Sequence, residues 1–264
     1  MTRPANPDLE DDVTSSQDGR SEWDRIYVIG GIAALGAVLV GLSEIAITFL
    51  PDGNAPLETV LDWFNLLQQN PFMGLRDLGL LNILLNTLAI PIFFALWAAH
   101  RQRPEKPYAT EAALIAMLGV GVFYATNRAF AMWDLSNRYA AAATDAQRAV
   151  IEAAGLAMLT VGKSHTPGTF LAFFLLEAAG LMMALVMLRS GVFSKAAAYA
   201  GLLGFGLLAL FEVGSSFLLG LGNKTMMLAI LGGLSTMVWY VLIARGLFQM
   251  GSWNRTATRS RAGA

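Results

Sequence analysis

Six apolar runs decide what this chain can become: residues 26–50, 78–99, 112–133, 170–188, 196–220 and 226–250. A helix rises about 1.5 Å per residue, so roughly 20 apolar residues cross the ~30 Å hydrocarbon core of a bilayer. The shortest run, 170–188, still reaches. Inside hydrocarbon no water satisfies the backbone, which leaves the helix as the structure that closes all its own hydrogen bonds. Charged residues make up only 14% of the chain, where a soluble domain needs about 25% to wet its surface. The sequence therefore predicts an all-α polytopic membrane protein with six transmembrane helices.

The flanks are polar. Residues 1–25 carry a run of acids with Pro4 and Pro7 and read as a disordered acidic tail, 26–250 as the membrane domain, and 251–264 as a basic tail. The basic tail suits topology and anionic lipid rather than nucleic acid. No basic segment followed by a short apolar core opens the chain, so the first span is expected to act as its own insertion signal. Zero cysteines exclude disulfides, thiolate metal sites and thiol catalysis.

Lysine and arginine set the orientation. Placing both termini in the cytoplasm puts twelve of these residues on that side and six on the other, as the positive-inside rule requires. The short loops HRQRPEKP and RSGVFSK supply the cleanest part of that bias. The chain is thus expected in a cell membrane, in contact with the lipid bilayer. Trp23, Tyr27, Trp97, Tyr108, Trp133 and Trp253 fall near span boundaries, as an aromatic belt does.

Two outer loops hold helices of their own. PLETVLDWFNLLQQNP places Leu57, Val60, Leu61, Phe64 and Leu67 on one helical face and Glu58, Asp62, Asn65 and Gln68 opposite. TDAQRAVIEAAGLAMLTVGK opens with Thr144 and Gln147 in capping-box spacing and stays helical to about Val161. Glu152 and its shortness keep it from crossing the membrane, so a lid or shallow re-entrant helix is expected.

Acids inside the spans carry the functional reading. Counting inward from the outer boundary puts Glu44, Glu177 and Glu212 roughly 9, 10 and 12 Å deep in helices one, four and five. Asn82 and Asn86 fall at about 6 and 12 Å in helix two, and Asn127 at about 9 Å in helix three beside Arg128. Small residues share their faces: Ala37, Gly41 and Thr48 with Glu44, Gly180 and Ala184 with Glu177, Gly201, Gly204 and Ser215 with Glu212. Small residues mark close helix packing, so these acids should point into the bundle, with Arg128 within reach of one. An ionisable group within a span is a functional hypothesis by default. The expected site is an outward-facing polar pocket of Glu44, Asn82, Asn86, Asn127, Arg128, Glu177 and Glu212.

Other signals are weaker. His100 lies in a basic loop and reads as solvated, whereas His165 in GKSHTPG has the reach to meet the carboxylates. GKSHTPG lacks the spacing of a phosphate loop, and no Glu-x-x-His or His-Glu-x-x-His spacing supports a metal. No motif names a cofactor. The methionines read as core fillers.

DWFNLLQQNP, LSNRYAAAATDAQRA and LRSGVFSK, in that order across 63–250, resemble a family of bacterial six-helix integral membrane proteins, a domain of unknown function. The resemblance implies a six-helix topology in a bacterial cytoplasmic membrane and carries no activity or catalytic residue. With no nucleophile–base or metal pattern in view, a non-enzymatic protein binding a small molecule or cation is preferred, for transport, sensing or an accessory role. The alternatives are an intramembrane hydrolase using the glutamates and a structural subunit whose polar layer locks helices.

Overall fold

The computed structural model describes residues 7–48, 57–218 and 222–262, with side chains placed for 22–47, 57–218 and 225–251. The chain is all-α and polytopic. Its helices are α1 (Pro7–Thr48), α2 (Val60–Gln69), α3 (Pro71–Asp77), α4 (Leu80–His100), α5 (Lys106–Thr126), α6 (Ala129–Ala141), α7 (Asp145–Gly162), α8 (Phe170–Ser190), α9 (Lys195–Phe217) and α10 (Gly222–Ala262). Six stretches are long and apolar enough to cross a membrane, lying in α1, α4, α5 with α6, α8, α9 and α10.

These six close into a ring. Each span packs on its neighbours in sequence, α1 on α4, α4 on α5, α5 on α8, α8 on α9 and α9 on α10, and α10 returns to α1. The residue types sort as lipid demands. Large apolar side chains face outward on every span, among them Leu39, Leu114, Leu185, Leu203 and Val241. Buried positions are rich in alanine, including Ala34, Ala95, Ala112, Ala116, Ala184 and Ala198. Lipid tails are as apolar as leucine, so close contact through small residues, rather than burial of large ones, holds such helices together. Gly204 shows the limit: a Cβ there would sit 2.8 Å from the Thr236 backbone nitrogen, so only glycine lets α9 and α10 approach this closely.

At one end of the ring lie the inner parts of the termini. Arg101 sits 3.9 Å over the Trp23 ring and donates to the Tyr27 hydroxyl at 2.9 Å. Tyr27 in turn donates to the Ala98 carbonyl at 3.3 Å. His100 is fully buried here, its Nδ1 2.7 Å from the Leu96 carbonyl and its Nε2 3.0 Å from Ser190 Oγ, with Phe193 packed on the ring. The expectation of a solvated His100 is therefore corrected: it closes α4 and ties that helix to the end of α8.

At the other end sits a helical cap. α2, α3, α6 and α7 pack around Val60, Trp63, Phe64, Leu67, Leu78, Ala129 and Met132. The amphipathic face expected of α2 is the buried one. Thr59 and Asp62 close a capping box at its start, and Thr144 with Gln147 closes the expected one on α7. Bonds from the Thr59 amide and hydroxyl and from the Glu58 amide hold the Asp62 carboxyl below its ordinary pKa.

Three boundaries differ from expectation. The first helix begins at Pro7 and takes in most of the stretch read as a disordered tail. Proline is tolerated in a first helical turn, and acids there complement the helix dipole. α10 likewise runs through the expected basic tail to Ala262. The third stretch is broken within the expected span: α5 ends at Thr126, and after Asn127 and Arg128 α6 packs with the cap helices. Residues 1–6, 49–50, 219–220 and 263–264, which belong to the expected tails and span ends, lie outside the described residues, as do the side chains of Thr48 and Trp253.

Candidate functional site

The expected polar layer separates into three parts, each fixed by its own partner. The first is a joint. Asn127, between α5 and α6, donates through Nδ2 to the Leu78 carbonyl at 3.2 Å and accepts from the Ala129 amide at 3.1 Å. It thereby caps the break and pins the start of α6 to the approach to α4. Arg128 donates back to the Asn127 carbonyl at 3.2 Å, with Gly162 of α7 packed on its stem. Among the described residues no carboxylate lies within ion-pair distance of Arg128. Its expected role as counter-ion to the glutamates is corrected. The chain turn at Asn127 carries both residues out of the interior.

The counter-ion is Arg76. Its side chain is 4% exposed, and its guanidinium meets Glu44 at 3.1 Å and Asp77 at 2.7 Å. α3 is only seven residues long, and the left-handed Gly79 (φ 94°) that follows it turns the chain into α4. That turn sets Arg76 beside α1. Burial pushes the Asp77 carboxyl above its ordinary value against the pull of Arg76, and Glu44 adds to the rise. Glu44 keeps 45% of its side chain exposed, so it forms a rim rather than the interior position expected for it. The reading of the sequence missed Arg76 as a partner; the signal was the Arg-Asp pair of LRDLG just ahead of a span.

The third part is the interior of the ring. A cavity of about 250 Å³ lies among α1, α4, α8, α9 and α10, closed on one side by the 163–169 loop. Asn82, Asn86 and Glu177 line it, as expected of them. Asn86 is 3% exposed, and its Nδ2 donates to the Asn82 carbonyl at 2.9 Å, a bond along α4 that leaves the amide oxygen facing away. That oxygen has no hydrogen-bond partner among the described residues, and neither has Glu177 Oε2, in a residue only 7% exposed. Most buried polar atoms in folded proteins are paired, so two orphan acceptors on one cavity call for an account.

Glu212 lies behind this cavity. It is fully buried, its Oε2 2.7 Å from His165 Nδ1 and its Oε1 3.4 Å from Ser216 Oγ. His165 lines the cavity itself and remains 38% exposed, which places it between the cavity and the outside. The loop holds it by a specific device. Thr166 and Thr169 donate their hydroxyls to the Lys163 carbonyl at 2.7 and 2.9 Å. His165 takes φ 57°, a left-handed conformation rare for a side-chain-bearing residue. Phe173 and Phe211 flank its ring, with centroids 4.6 and 4.9 Å away. The reach of His165 toward a carboxylate is as the sequence suggested.

A wider cleft of about 690 Å³ opens at the terminal end beside Phe193, Ser194 and Arg245. Arg245 is exposed there, and the cleft contains none of the buried orphan atoms found inside the ring. Comparison with family models, with curated proteins and with solved structures gives no match. The functional reading therefore rests on the chain's own geometry.

Proposed function

We propose that the chain is a non-enzymatic multi-pass protein of a bacterial cell membrane that binds a small molecule or cation in the cavity of its ring, in transport, sensing or an accessory role. One observation carries this: Glu177 and Asn86 line the same cavity, and each holds a buried acceptor, Oε2 and Oδ1, with no partner among the described residues. Leaving such groups unsatisfied costs about 1–3 kcal/mol each. A ligand that donates to both removes that cost, whereas two orphans serve no purpose in a packed lock. The apolar remainder of the wall suits a small organic body.

The twelve-to-six distribution of lysine and arginine supports cytoplasmic termini and an outward-facing cap. A reporter active only outside the membrane should stay silent at either terminus and report when inserted near Asp145; the reverse pattern refutes this orientation.

The structural reading keeps one support. The Glu44–Arg76 and His165–Glu212 pairs join separate elements and would lock them without any ligand. The cavity separates the two readings. Ala89, 5% exposed, lies on its α4 wall. Ala89→Leu should fill the void and abolish stabilisation of the purified protein by small molecules that raise the melting temperature of the parent. A parent that no compound stabilises, together with a variant that only gains stability, would establish the structural reading instead.

A further inference from the structure

Resting on the proposal that the cavity binds a ligand, we infer that its occupant is a small organic ammonium ion: a primary amine, protonated, on a compact apolar or aromatic body. The argument runs from the wall inward. Of the four buried side-chain atoms without a partner among the described residues, the two on cavity-lining residues are both acceptors, one from a carboxylate and one from an amide. They demand a donor with at least two N–H or O–H bonds. No lysine or arginine lines the cavity, and its one basic ring, His165, is engaged with Glu212. The wall offers no positive charge to hold an anion.

A primary ammonium carries three N–H bonds and a full charge. It can donate to both orphans and compensate a carboxylate at once, and charge-assisted bonds of this kind are roughly twice as strong as neutral ones. The rest of the wall favours the same guest. Phe93, Phe173, Phe205, Phe211 and Tyr240 line the same cavity, and aromatic faces attract cations within about 6 Å. A bare metal ion fits poorly. Hard cations such as calcium take about 6–8 oxygen ligands, and among the described residues no group of three or more histidine, cysteine, aspartate or glutamate side chains converges to hold one. The volume, about 250 Å³, lies just below the ~300–1,000 Å³ typical of drug-sized ligand pockets, so the body attached to the ammonium is small.

The test uses the purified full chain in detergent or nanodiscs and follows melting temperature. The probes are primary ammonium ions from methylammonium to 2-phenylethylammonium, the neutral 2-phenylethanol, the anion 3-phenylpropionate, and potassium and magnesium chlorides. At least one ammonium ion should raise the melting temperature by several degrees. It should bind at least about tenfold tighter than its neutral counterpart, the ratio expected when a charge-assisted bond replaces a neutral one. Glu177→Gln should lose that preference. In case the variant fails to fold, the unsubstituted protein gives a second readout: a hydrophobic diazo ester should esterify Glu177 with loss of N2, and the ammonium ion but not the alcohol should protect it. Equal stabilisation by 2-phenylethanol or 3-phenylpropionate would overturn the ammonium assignment while leaving a small-molecule site. A response to potassium or magnesium alone would overturn it in favour of an inorganic ion. No response to any probe, with unprotected labelling, would overturn the assignment and count against the cavity as a binding site.

Discussion

Glu44 and Glu177 are the same residue type, both expected about 10 Å into a membrane span, yet they meet opposite fates. Glu44 sits at the rim, nearly half exposed, against a buried arginine that also holds Asp77. Glu177 sits inside the ring, almost wholly buried, with a carboxylate oxygen that has no hydrogen-bond partner among the described residues. Glu212 is buried more deeply still but has His165 and Ser216. Depth in the membrane therefore does not distinguish these acids; partnership does. An acid that is buried and paired can be explained by packing, because the pair offsets its own desolvation. An acid that is buried and unpaired beside a cavity calls for a guest.

The rim should break most visibly. Arg76→Met removes the cation from between Glu44 and Asp77 and leaves two carboxylates facing one another. An uncompensated buried charge costs about 3–5 kcal/mol. The lower end applies here, about 3 kcal/mol, because Glu44 is exposed enough to rehydrate. Chemical denaturation of the purified protein measures it. A loss under about 1 kcal/mol, the range of a surface pair, would reduce the cluster to a surface contact.

The interior pair comes next. His165→Ala strips Glu212 of its nearest partner, at a cost of about 2 kcal/mol, within the range for a hydrogen bond to a charged group. Glu212→Gln in the same background should cost less than it does alone, with a coupling above about 1 kcal/mol in the double-mutant cycle. Additive losses would show that His165 and Glu212 do not act as a pair, and the loop would lose its role as the closure of the cavity.

Much of the fold was readable in the sequence, for a physical reason. Hydrocarbon admits little besides helices, so apolar length alone placed the six spans, and amphipathic spacing with capping residues placed α2 and α7. The break at Asn127–Arg128 was not readable, because VFYATNRAFAMW keeps an apolar pattern on both sides of the turn. Only the cap core, assembled from residues far apart in sequence, draws α6 aside. For the site, counting residues gave depth but not direction. Asn82, Asn86 and Glu177, which it grouped, line one cavity. It assigned the arginine beside them in sequence, Arg128, where the partner in space is Arg76 on a short helix outside the spans.

The central claim, that Glu177 Oε2 has no hydrogen-bond partner among the described residues while Glu44 and Glu212 have theirs, reduces to one measurement. Glu44→Gln, Glu177→Gln and Glu212→Gln keep shape and most hydrogen-bonding atoms while removing the titratable group. Their melting temperatures at neutral pH, without added ligand, should fall into two classes. Glu44→Gln and Glu212→Gln should melt below the parent, because each leaves a charged or hydrogen-bonded partner behind. Glu177→Gln should match the parent within about 0.5 kcal/mol, as substitutions away from specific partners do, or exceed it. A Glu177→Gln protein that melts as low as Glu212→Gln would contradict the account, since it would mean that Glu177 already has a partner within the protein.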